Sequence, residues 1–379
     1  MNKIKLITFF NKLLPKYKKK VVFYGRSRYD SNNHALIQYM IENGYNDKYK
    51  IYLVVSNEDD LVFYQNIKNV YPVKGAIAGA YHTLSSKYVF HCYGMGKMSS
   101  RIPKNQIVFD LWHGIGLKAL SDVSSSDYNK RSKYILATCD YGKNYFMKCF
   151  GYKAEQFFIG GYPRCEQLFS GEDVLKKFGI DKSQYAKVVL YMPTFRKAKQ
   201  FGYDDSVLEF PLFDEQKLVE FNNYLSKNNI LFIIKPHPAQ DNLDILNFQS
   251  SNVRVIKNCD LLSKKIMLYS LVGQSDVLIT DYSSIYFDYL LTQKPIGFVI
   301  DDIDSYSDKR GFVVENPEDY MAGEKIKDVE QLQQFLDGIL DGKDIWKEKR
   351  AEINDMMNPD KSLDYSKNIL DFVGITKEK

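Results

Sequence analysis

One stretch of this 379-residue chain combines a histidine, a lysine and two glycines at the end of a predicted strand. Residues 110–118 read DLWHGIGLK, with His113 directly before Gly114. A neutral imidazole can accept a hydroxyl proton at physiological pH. Gly114 allows a ligand to approach the backbone closely, and Lys118 can steady an anion. The pattern predicts a general base; a histidine that serves only packing is the alternative.

A second histidine lies in the sequence Lys235-Pro-His-Pro, after the predicted strand 230–234. Prolines on both sides of His237 restrict its backbone, and such rigid placement favours a site over a plain turn. Arg196 follows another predicted strand, 187–192, and its guanidinium can pair with two phosphate oxygens. These residues predict a phosphate site. A capped turn and a surface arginine are the alternatives.

The stretch Asp276–Asp288 has the pattern of a strand, a polar turn and a helix start. Ser283 and Ser284 are typical N-cap residues, and the unpaired N–H groups at a helix start attract phosphate. An ordinary capped turn is the alternative. The candidate phosphate-binding residues of this element and of the later Lys-Arg-Gly sequence are Thr280, Asp281, Ser283, Ser284 and Arg310.

These loops need strands to position them, and strand-like and helix-like segments alternate twice along the chain. The predicted fold is α/β, with two doubly wound Rossmann-like domains whose strand-end loops line one cleft. The predicted parts are a basic amphipathic segment (1–20), an N-terminal domain (21–170), a C-terminal domain (186–345) and C-terminal helices (346–379).

Composition narrows the classes of function. The net charge of +5 fits an anionic substrate or a membrane surface better than a nucleic acid. Five cysteines without a CxxC pair indicate free thiols in a reducing compartment, and no apolar run is long enough to span a bilayer. The sequence has no P-loop, dinucleotide or metal-ligand spacing. No metal site or cofactor is therefore predicted, and a divalent cation at a bound diphosphate is left open.

Residues 1–20 contain seven lysines and no acidic residue, interleaved with apolar side chains. This pattern predicts an amphipathic helix on the inner face of the cell membrane. A helix docked on its own domain is an equal alternative. A signal peptide fits less well, because Asn11 and Lys12 interrupt the apolar run.

Five motifs occur in a characteristic order along the chain. They are residues 112–118 (WHGIGLK), 160–164 (GGYPR), 192–196 (MPTFR), 235–238 (KPHP) and 278–289 (LITDYSSIYFDY). From about Gly25 to Arg310 the chain resembles the CDP-glycerol glycerophosphotransferase family of teichoic-acid primases and polymerases. The resemblance implies a GT-B fold and a cytoplasmic enzyme, peripheral to the membrane. In the implied reaction, a hydroxyl of a lipid-linked cell-envelope glycan attacks the β-phosphate of CDP-glycerol and expels CMP.

The resemblance also implies a role for each candidate residue. His113 would be the general base, and His237 would face the pyrophosphate, with Arg196 and Lys235 nearby. The implied donor domain is the C-terminal one, and the acceptor side is the N-terminal one. The remaining implied contacts are Ser283 and Ser284 with the phosphates, Asp288 with the ribose hydroxyls, and Asp30, Asn32 and Asn33 on the acceptor side.

Two departures from the family pattern lie where acceptor and alditol would be distinguished. Ile115-Gly116 replaces the usual Thr-Pro, and residues 315–323 replace a loop rich in glycine and proline. CDP-ribitol transfer and nucleotide-sugar glycosyl transfer, in wall or capsule polymer synthesis, are therefore alternatives on the same fold. A membrane-bound scaffold without catalytic activity is a less favoured alternative. The acceptor sugar, the number of units added and the oligomeric state stay open.

Overall fold

The computed structural model describes residues 3–25, 31–55, 64–95, 102–119, 131–194, 197–198, 203–204, 211–237 and 244–377. The chain divides into two compact units. Unit 1 comprises Met1–His113, Ser121–Gln167 and Asn358–Lys379, and unit 2 comprises Gly114–Leu120 and Leu168–Met357. Each contains parallel strands that alternate with helices, which confirms the predicted fold class of two doubly wound α/β domains.

The elements of the described residues are numbered along the whole chain. The strands are β1 (Tyr17–Tyr24), β2 (Lys50–Val54), β3 (Val70–Val73), β4 (Ser86–His91), β5 (Ile107–Asp110), β6 (Tyr134–Ala137), β7 (Phe157–Ile159), β8 (Lys187–Tyr191), β9 (Lys197–Ala198), β10 (Tyr203–Asp204), β11 (Ile230–Ile234), β12 (Val253–Val255), β13 (Val277–Thr280), β14 (Ile296–Val299) and β15 (Glu324–Ile326). The α-helices are α1 (Lys3–Leu13), α2 (Asn32–Glu42), α3 (Ala76–Leu84), α4 (Asp140–Phe150), α5 (Glu215–Lys227), α6 (Asn258–Ser263), α7 (Leu268–Gln274), α8 (Ile285–Tyr289), α9 (Ile303–Arg310), α10 (Val329–Leu340), α11 (Lys347–Met357) and α12 (Tyr365–Phe372).

The sheet of unit 1 is parallel throughout, in the order β3-β2-β1-β4-β5-β6-β7. The strands β4, β5 and β6 are short and buried along most of their length, as is typical of strands covered on both faces. Helix α12 returns to this unit from the C-terminal part of the chain. Its Phe372 packs on Phe158 of β7, with ring centroids 4.8 Å apart. The strand order reverses between β1 and β4, where sheets of this kind bind ligands at their carboxyl ends.

The basic N-terminal segment divides between a helix and the sheet. Strand β1 begins at Tyr17, ahead of the predicted start at Val21. Lys20 therefore lies inside unit 1, where its Nζ donates to Ser85 Oγ over 2.7 Å and burial lowers its pKa to about 8. Helix α1 is docked on the same unit, because Asn11 Nδ2 donates to Gln106 Oε1 over 2.9 Å.

Unit 2 repeats the same topology with six parallel strands, in the order β12-β11-β8-β13-β14-β15. Its order reverses between β8 and β13. Strands β9 and β10 form a separate antiparallel pair. The core combines buried strand residues such as Val189 and Phe232 with Phe221 of α5 and Leu336 of α10. Among the helices of the described residues, none has the length and apolar character needed to cross a bilayer.

Candidate functional site

His113 lies on a turn that follows β5 and has an unusual backbone. Trp112 has a φ of +52° and Gly114 a φ of +108°. A left-handed φ is costly for a bulky residue such as tryptophan, by roughly 1–2 kcal/mol. The half-buried imidazole stacks against the rings of Trp112 and Tyr93, with centroids 4.4 and 4.8 Å away. The turn therefore holds an accessible histidine beside two aromatic rings.

Side chains from distant parts of unit 1 hold the carbonyl groups of this turn. Asn32 Nδ2 donates to Leu111 O and to Trp112 O, each over 3.0 Å. Arg164 Nη1 donates to His113 O over 3.0 Å, and the Arg164 N–H donates to Asn32 Oδ1 over 3.3 Å. Both side chains are nearly inaccessible to solvent. Three consecutive carbonyl groups are thereby fixed, and His113 is fixed with them.

Asn32 and Asn33, which the resemblance places on the acceptor side, lie in the first turn of α2. The helix begins there because Ser31 Oγ accepts a hydrogen bond from the His34 N–H over 3.2 Å, as an N-cap does. Asn32 and Asn33 are 0% and 2% exposed, which leaves little surface for an acceptor. Asn33 Nδ2 donates to Tyr24 O over 3.4 Å. Asp30 lies outside the described residues.

The residues after His113 belong to unit 2 and approach its serine-bearing element. A Cβ atom placed on Gly116 would lie 3.5 Å from Ser284 N, so a larger residue here would cover that N–H group. The Val313 N–H donates to Leu117 O over 2.8 Å, and Lys118 forms a β-bridge with Phe312. The backbone of Lys118 is therefore paired with the segment that follows α9.

The first two predicted phosphate ligands of the serine element bind protein groups. Asp281 Oδ2 accepts hydrogen bonds from Thr194 N and Thr194 Oγ1, each over 2.8 Å. Thr280 Oγ1 donates to Met192 O over 2.8 Å. Both residues are buried, and the three bonds join the ends of β8 and β13 at the point where the strand order reverses. These side chains fix the floor of the strand-end region of unit 2.

Ser283 and Ser284 are half-buried, and neither hydroxyl caps α8. Ser284 has the helical angles φ −64° and ψ −18°, whereas a capping serine needs an extended conformation. The predicted side-chain cap is therefore wrong. Helix α8 is also short, with five residues before a 3₁₀ turn, so its dipole is weaker than the sequence suggests. What remains is a turn with two hydroxyl groups that bind no other described residue.

Asp288 lies inside unit 2, although the resemblance implies a contact with ribose. It is 2% exposed, and its Oδ2 accepts a hydrogen bond from the Tyr269 hydroxyl. Tyr282 anchors the start of the element, because its hydroxyl donates to Asp302 Oδ1 over 3.1 Å. The carboxylate of Asp288 therefore fixes α8 from within.

The loop after β11 holds His237 half-buried at its end. Lys235 is 2% exposed, and its Nζ donates to Pro236 O over 2.8 Å and to Asn258 Oδ1 over 3.0 Å. The lysine thus closes the loop on itself and ties it to α6. Arg196 lies outside the described residues. Arg310 is the last residue of α9, and its side chain is not among those described.

The structure joins the candidates in two groups, one in each unit. Unit 1 joins Asn32 to the His113 turn and adds Arg164 and Tyr93. In unit 2, Gly116 lies next to Ser284 of the serine element. The backbone of Lys118 pairs with the segment 311–313. Arg164 belongs to the GGYPR motif, which is the sequence signal for it; Tyr93 has no local signal. Among the described residues, no cluster of three or more His, Cys, Asp or Glu side chains is placed to hold a metal ion.

A family model described as CDP-Glycerol:Poly(glycerophosphate) glycerophosphotransferase matches residues 6–374. The chain belongs to this family. A teichoic acid poly(glycerol phosphate) polymerase of Bacillus spizizenii is 27% identical over 335 residues, which cover 79% of this chain and 78% of the relative. A teichoic acid glycerol-phosphate primase of Bacillus subtilis is 31% identical over 237 residues, which cover 59% of this chain and 57% of the relative.

Solved structures of other proteins have a fold similar to that of this chain. A variant of the wall teichoic acid polymerase TagF superposes with a TM-score of 0.75 at 21% identity, covering 98% of this chain and 92% of that one. A putatively assigned UDP-N-acetylglucosamine 2-epimerase of Listeria monocytogenes superposes with a TM-score of 0.54 at 12% identity, covering 93% and 95%. At these identities the likeness concerns the fold alone.

Proposed function

We propose that the chain transfers glycerol phosphate from CDP-glycerol to a hydroxyl of a teichoic-acid-like polymer and releases CMP. Family membership across residues 6–374 carries the proposal. The braced turn that presents His113 supports it, because this reaction needs a base. The relatives include a poly(glycerol phosphate) polymerase and a glycerol-phosphate primase. TagF has also been solved after a soak with CDPG.

In the proposed reaction, His113 accepts the proton of the acceptor hydroxyl as its oxygen attacks the β-phosphorus of the donor. A new P–O bond forms, and the bond from the β-phosphorus to the bridging oxygen breaks. CMP leaves with that electron pair. His237 faces the pyrophosphate and donates a hydrogen bond to the departing oxygen. Cationic groups and N–H donors stabilise the charge that develops there.

Burial separates the described candidates into two roles, and the family resemblance alone assigns Asp30, Arg196 and Arg310. The candidates proposed to contact donor or acceptor are Gly114, Lys118, Arg196, Ser283, Ser284, Arg310 and, on the acceptor side, Asp30. The candidates proposed to position loops from inside the units are Asn32, Asn33, Lys235, Thr280, Asp281 and Asp288. A side chain with almost no exposed surface can fix a loop, but it cannot meet a substrate without moving.

The function is tested with purified protein, CDP-glycerol and a lipid-linked glycerol-phosphate oligomer as acceptor. One CMP should appear for each phosphodiester formed, as measured by chromatography and mass spectrometry. An acceptor-free reaction measures donor hydrolysis as the control. Failure to extend the acceptor, together with release of UDP from a UDP-sugar, would replace the proposal with glycosyl transfer.

CDP-ribitol is the second candidate donor, and one comparison favours it. A teichoic acid poly(ribitol-phosphate) polymerase of Bacillus spizizenii is also 27% identical, over 344 residues that cover 85% of this chain and 51% of the relative. The same assay with CDP-ribitol decides between the two. The donor with the higher kcat/KM is the substrate, since kcat/KM measures discrimination between competing substrates.

Helix α1 supports the proposal of a peripheral enzyme on the inner face of the cell membrane, next to a lipid-linked acceptor. Leu6, Phe9, Phe10 and Leu13 recur at helical spacing and are 37%, 56%, 48% and 64% exposed. Lys12 of the same helix is exposed, and so are Lys18 and Lys19 at the start of the strand that follows. Such a combination fits the interface of anionic lipids.

Flotation with anionic and neutral vesicles tests the membrane proposal. The wild-type protein should float with anionic vesicles, and the double variant Phe9→Ser, Phe10→Ser should not. Val219→Ser, on the surface of α5 and 50% exposed, is the matched control because it removes an exposed apolar side chain elsewhere. Equal flotation of the α1 variant and the control would show that α1 only docks on unit 1.

A further inference from the structure

Behind the His113 turn, three buried polar side chains of unit 1 form a chain of contacts. His91 Nε2 lies 2.9 Å from Ser132 Oγ, within hydrogen-bond distance, whereas His91 Nδ1 lies 3.4 Å from Asp110 Oδ1 in a contact that is not a hydrogen bond. Ser132, His91 and Asp110 are 2%, 1% and 0% exposed. These residue types also make hydrolytic triads, but a nucleophile must be reached by its substrate, and Ser132 is closed off from solvent. The cluster needs another function.

Burial of these groups disfavours folding, because each loses its hydration. Burial raises the pKa of Asp110 to about 8 and lowers the pKa of His91 to about 3, so both shifts favour the neutral forms. Apolar side chains of the same volume would fill this space without that loss. The feature that sets Asp110 apart is its bond to the backbone of the turn.

Asp110 Oδ1 accepts a hydrogen bond from the Trp112 N–H over 2.9 Å. A carboxyl oxygen that accepts from the N–H two residues later closes an Asx-turn, which here stabilises the left-handed backbone of Trp112. The same residue stacks its ring on the imidazole of His113. The conformation of Trp112 thus determines both the path of the chain into His113 and the surface on which the imidazole rests.

The elements around the cluster explain how Asp110 is held. His91 and Asp110 are the last residues of β4 and β5, and they are paired in the parallel register. The Leu111 N–H donates to His91 O over 2.8 Å, so the backbones stay joined just past the strand ends. The His91 ring reaches Ser132, which precedes β6, and so links the carboxyl ends of β4 and β5 to the start of β6.

We propose that Ser132, His91 and Asp110 act as one positioning unit that aims His113 at the acceptor hydroxyl. This inference rests on the proposed function of His113 as general base. None of the three touches substrate. They act through Trp112, and their influence should decrease with distance from it, in the order Asp110, His91, Ser132.

Kinetics of graded variants test the proposal. Asp110→Ala should lower kcat about 10- to 100-fold, the scale expected when a reacting group is misplaced by about 1 Å. His91→Phe should have a smaller effect, and Ser132→Ala the smallest, with the KM for CDP-glycerol changed less than about threefold. Asp110→Asn should restore kcat to within about fivefold of wild type, since the amide oxygen can accept the same N–H.

Ser86→Ala is the matched control for loss of a buried hydroxyl. Ser86 lies at the opposite end of β4, is 0% exposed, and its Oγ donates to Tyr88 O over 2.7 Å. Its kcat should equal that of wild type once the folded fraction is measured by urea unfolding. If Asp110→Ala does not fold, the kcat values of His91→Phe and Ser132→Ala are compared with that of Ser86→Ala. Equal kcat values for those three would overturn the positioning unit.

A fluorescence measurement tests the same inference without any substrate. The chain has two tryptophans, and Trp346→Phe leaves Trp112 as the only tryptophan, which is excited selectively at the red edge of the absorption band. Trp112 is 5% exposed, so acrylamide should quench it poorly in that parent. Asp110→Ala should raise the quenching constant about threefold, and Asp110→Asn should restore it. Unchanged quenching in Asp110→Ala overturns the inference. If no donor is turned over but Asp110→Ala raises the quenching constant and Asp110→Asn restores it, the proposed function is wrong. The inference that Asp110 fixes the Trp112 turn would then still hold.

Discussion

The two histidine loops are held in different ways. The His113 turn is held by residues remote in sequence: Asn32 reaches the Trp112 carbonyl across 80 residues, and Arg164 reaches the His113 carbonyl across 51. In the His237 loop, Lys235 binds the carbonyl of the next residue and then Asn258, 23 residues away. Prolines add local stiffness only to the second loop.

This difference separates two ways of fixing a reactive group. In a proline-flanked loop, the proline rings themselves restrict the backbone angles. Tertiary contacts then stabilise a backbone that already has few accessible conformations. A turn with a left-handed tryptophan is unfavourable by itself, and tertiary contacts must stabilise it. We therefore expect the His113 turn to be the more sensitive of the two to distant substitutions.

The largest expected effect is the loss of the proposed base. His113→Ala should lower kcat by about 10²–10⁴-fold, the usual contribution of general base catalysis. CMP release in the presence of acceptor measures it. His82→Gln, which changes a histidine on α3, is the control and should keep wild-type kcat. Turnover within tenfold of wild type in His113→Ala would remove this histidine from the chemistry.

The next largest effect compares one contact from each loop. Asn32→Leu removes the donor to two carbonyl groups and should lower kcat about 10- to 100-fold, with a loss of about 2 kcal/mol in the free energy of unfolding. Asn258→Leu removes one contact of Lys235, and the proline before His237 still restricts the loop, so we expect about a twofold to fivefold loss. A larger loss in Asn258→Leu would reverse the comparison.

Local sequence patterns predict much of the fold and of the His237 loop. Apolar runs identify most strands, and their alternation with helical segments gives the two doubly wound units. The Lys-Pro-His-Pro sequence identifies a stiff loop because proline acts on its own neighbours. The start of β1 was missed because local patterns mislead there. Lysines 18–20 are typical of a surface segment, yet Lys20 binds Ser85 inside the unit.

The support of the His113 turn could not be predicted in this way. Nothing near Asn32 in the sequence shows that its amide meets carbonyl groups after β5. The available signal was Ser31, a residue type typical of an N-cap, which marks the start of α2. Ser284 shows the opposite error, because residue type alone predicts a cap while the backbone around it is already helical. Both outcomes depend on tertiary packing.

The smallest expected effect is on the pH dependence of stability, and it concerns the 3₁₀ helix Pro163–Phe169, which carries Arg164. Glu166 accepts hydrogen bonds from Ser366 N and Oγ over 2.6 and 2.7 Å, and burial raises its pKa to about 7. Between about pH 4.5 and 7 the unfolded chain loses this proton while the folded chain keeps it. The contribution of Glu166 to stability is therefore lost as pH rises through this window.

Glu166→Gln removes the titration and should gain stability relative to wild type by about 3 kcal/mol between pH 4.5 and pH 8. Urea unfolding at the two pH values measures the change. Glu220→Gln, on the exposed surface of α5, is the control and should show a constant difference from wild type. A constant difference for Glu166→Gln as well would show that this carboxyl is ionised in the folded protein.

Calorimetry with CDP-glycerol, without acceptor, tests the central claim most directly, namely that His113 serves the acceptor and His237 the donor. His113→Ala should bind the donor with a Kd within about twofold of wild type, because its contacts concern the attacking hydroxyl. His237→Ala should bind about tenfold more weakly, a loss of about 1.4 kcal/mol for one hydrogen bond to a charged group. Weakened binding in His113→Ala with wild-type binding in His237→Ala would contradict this account.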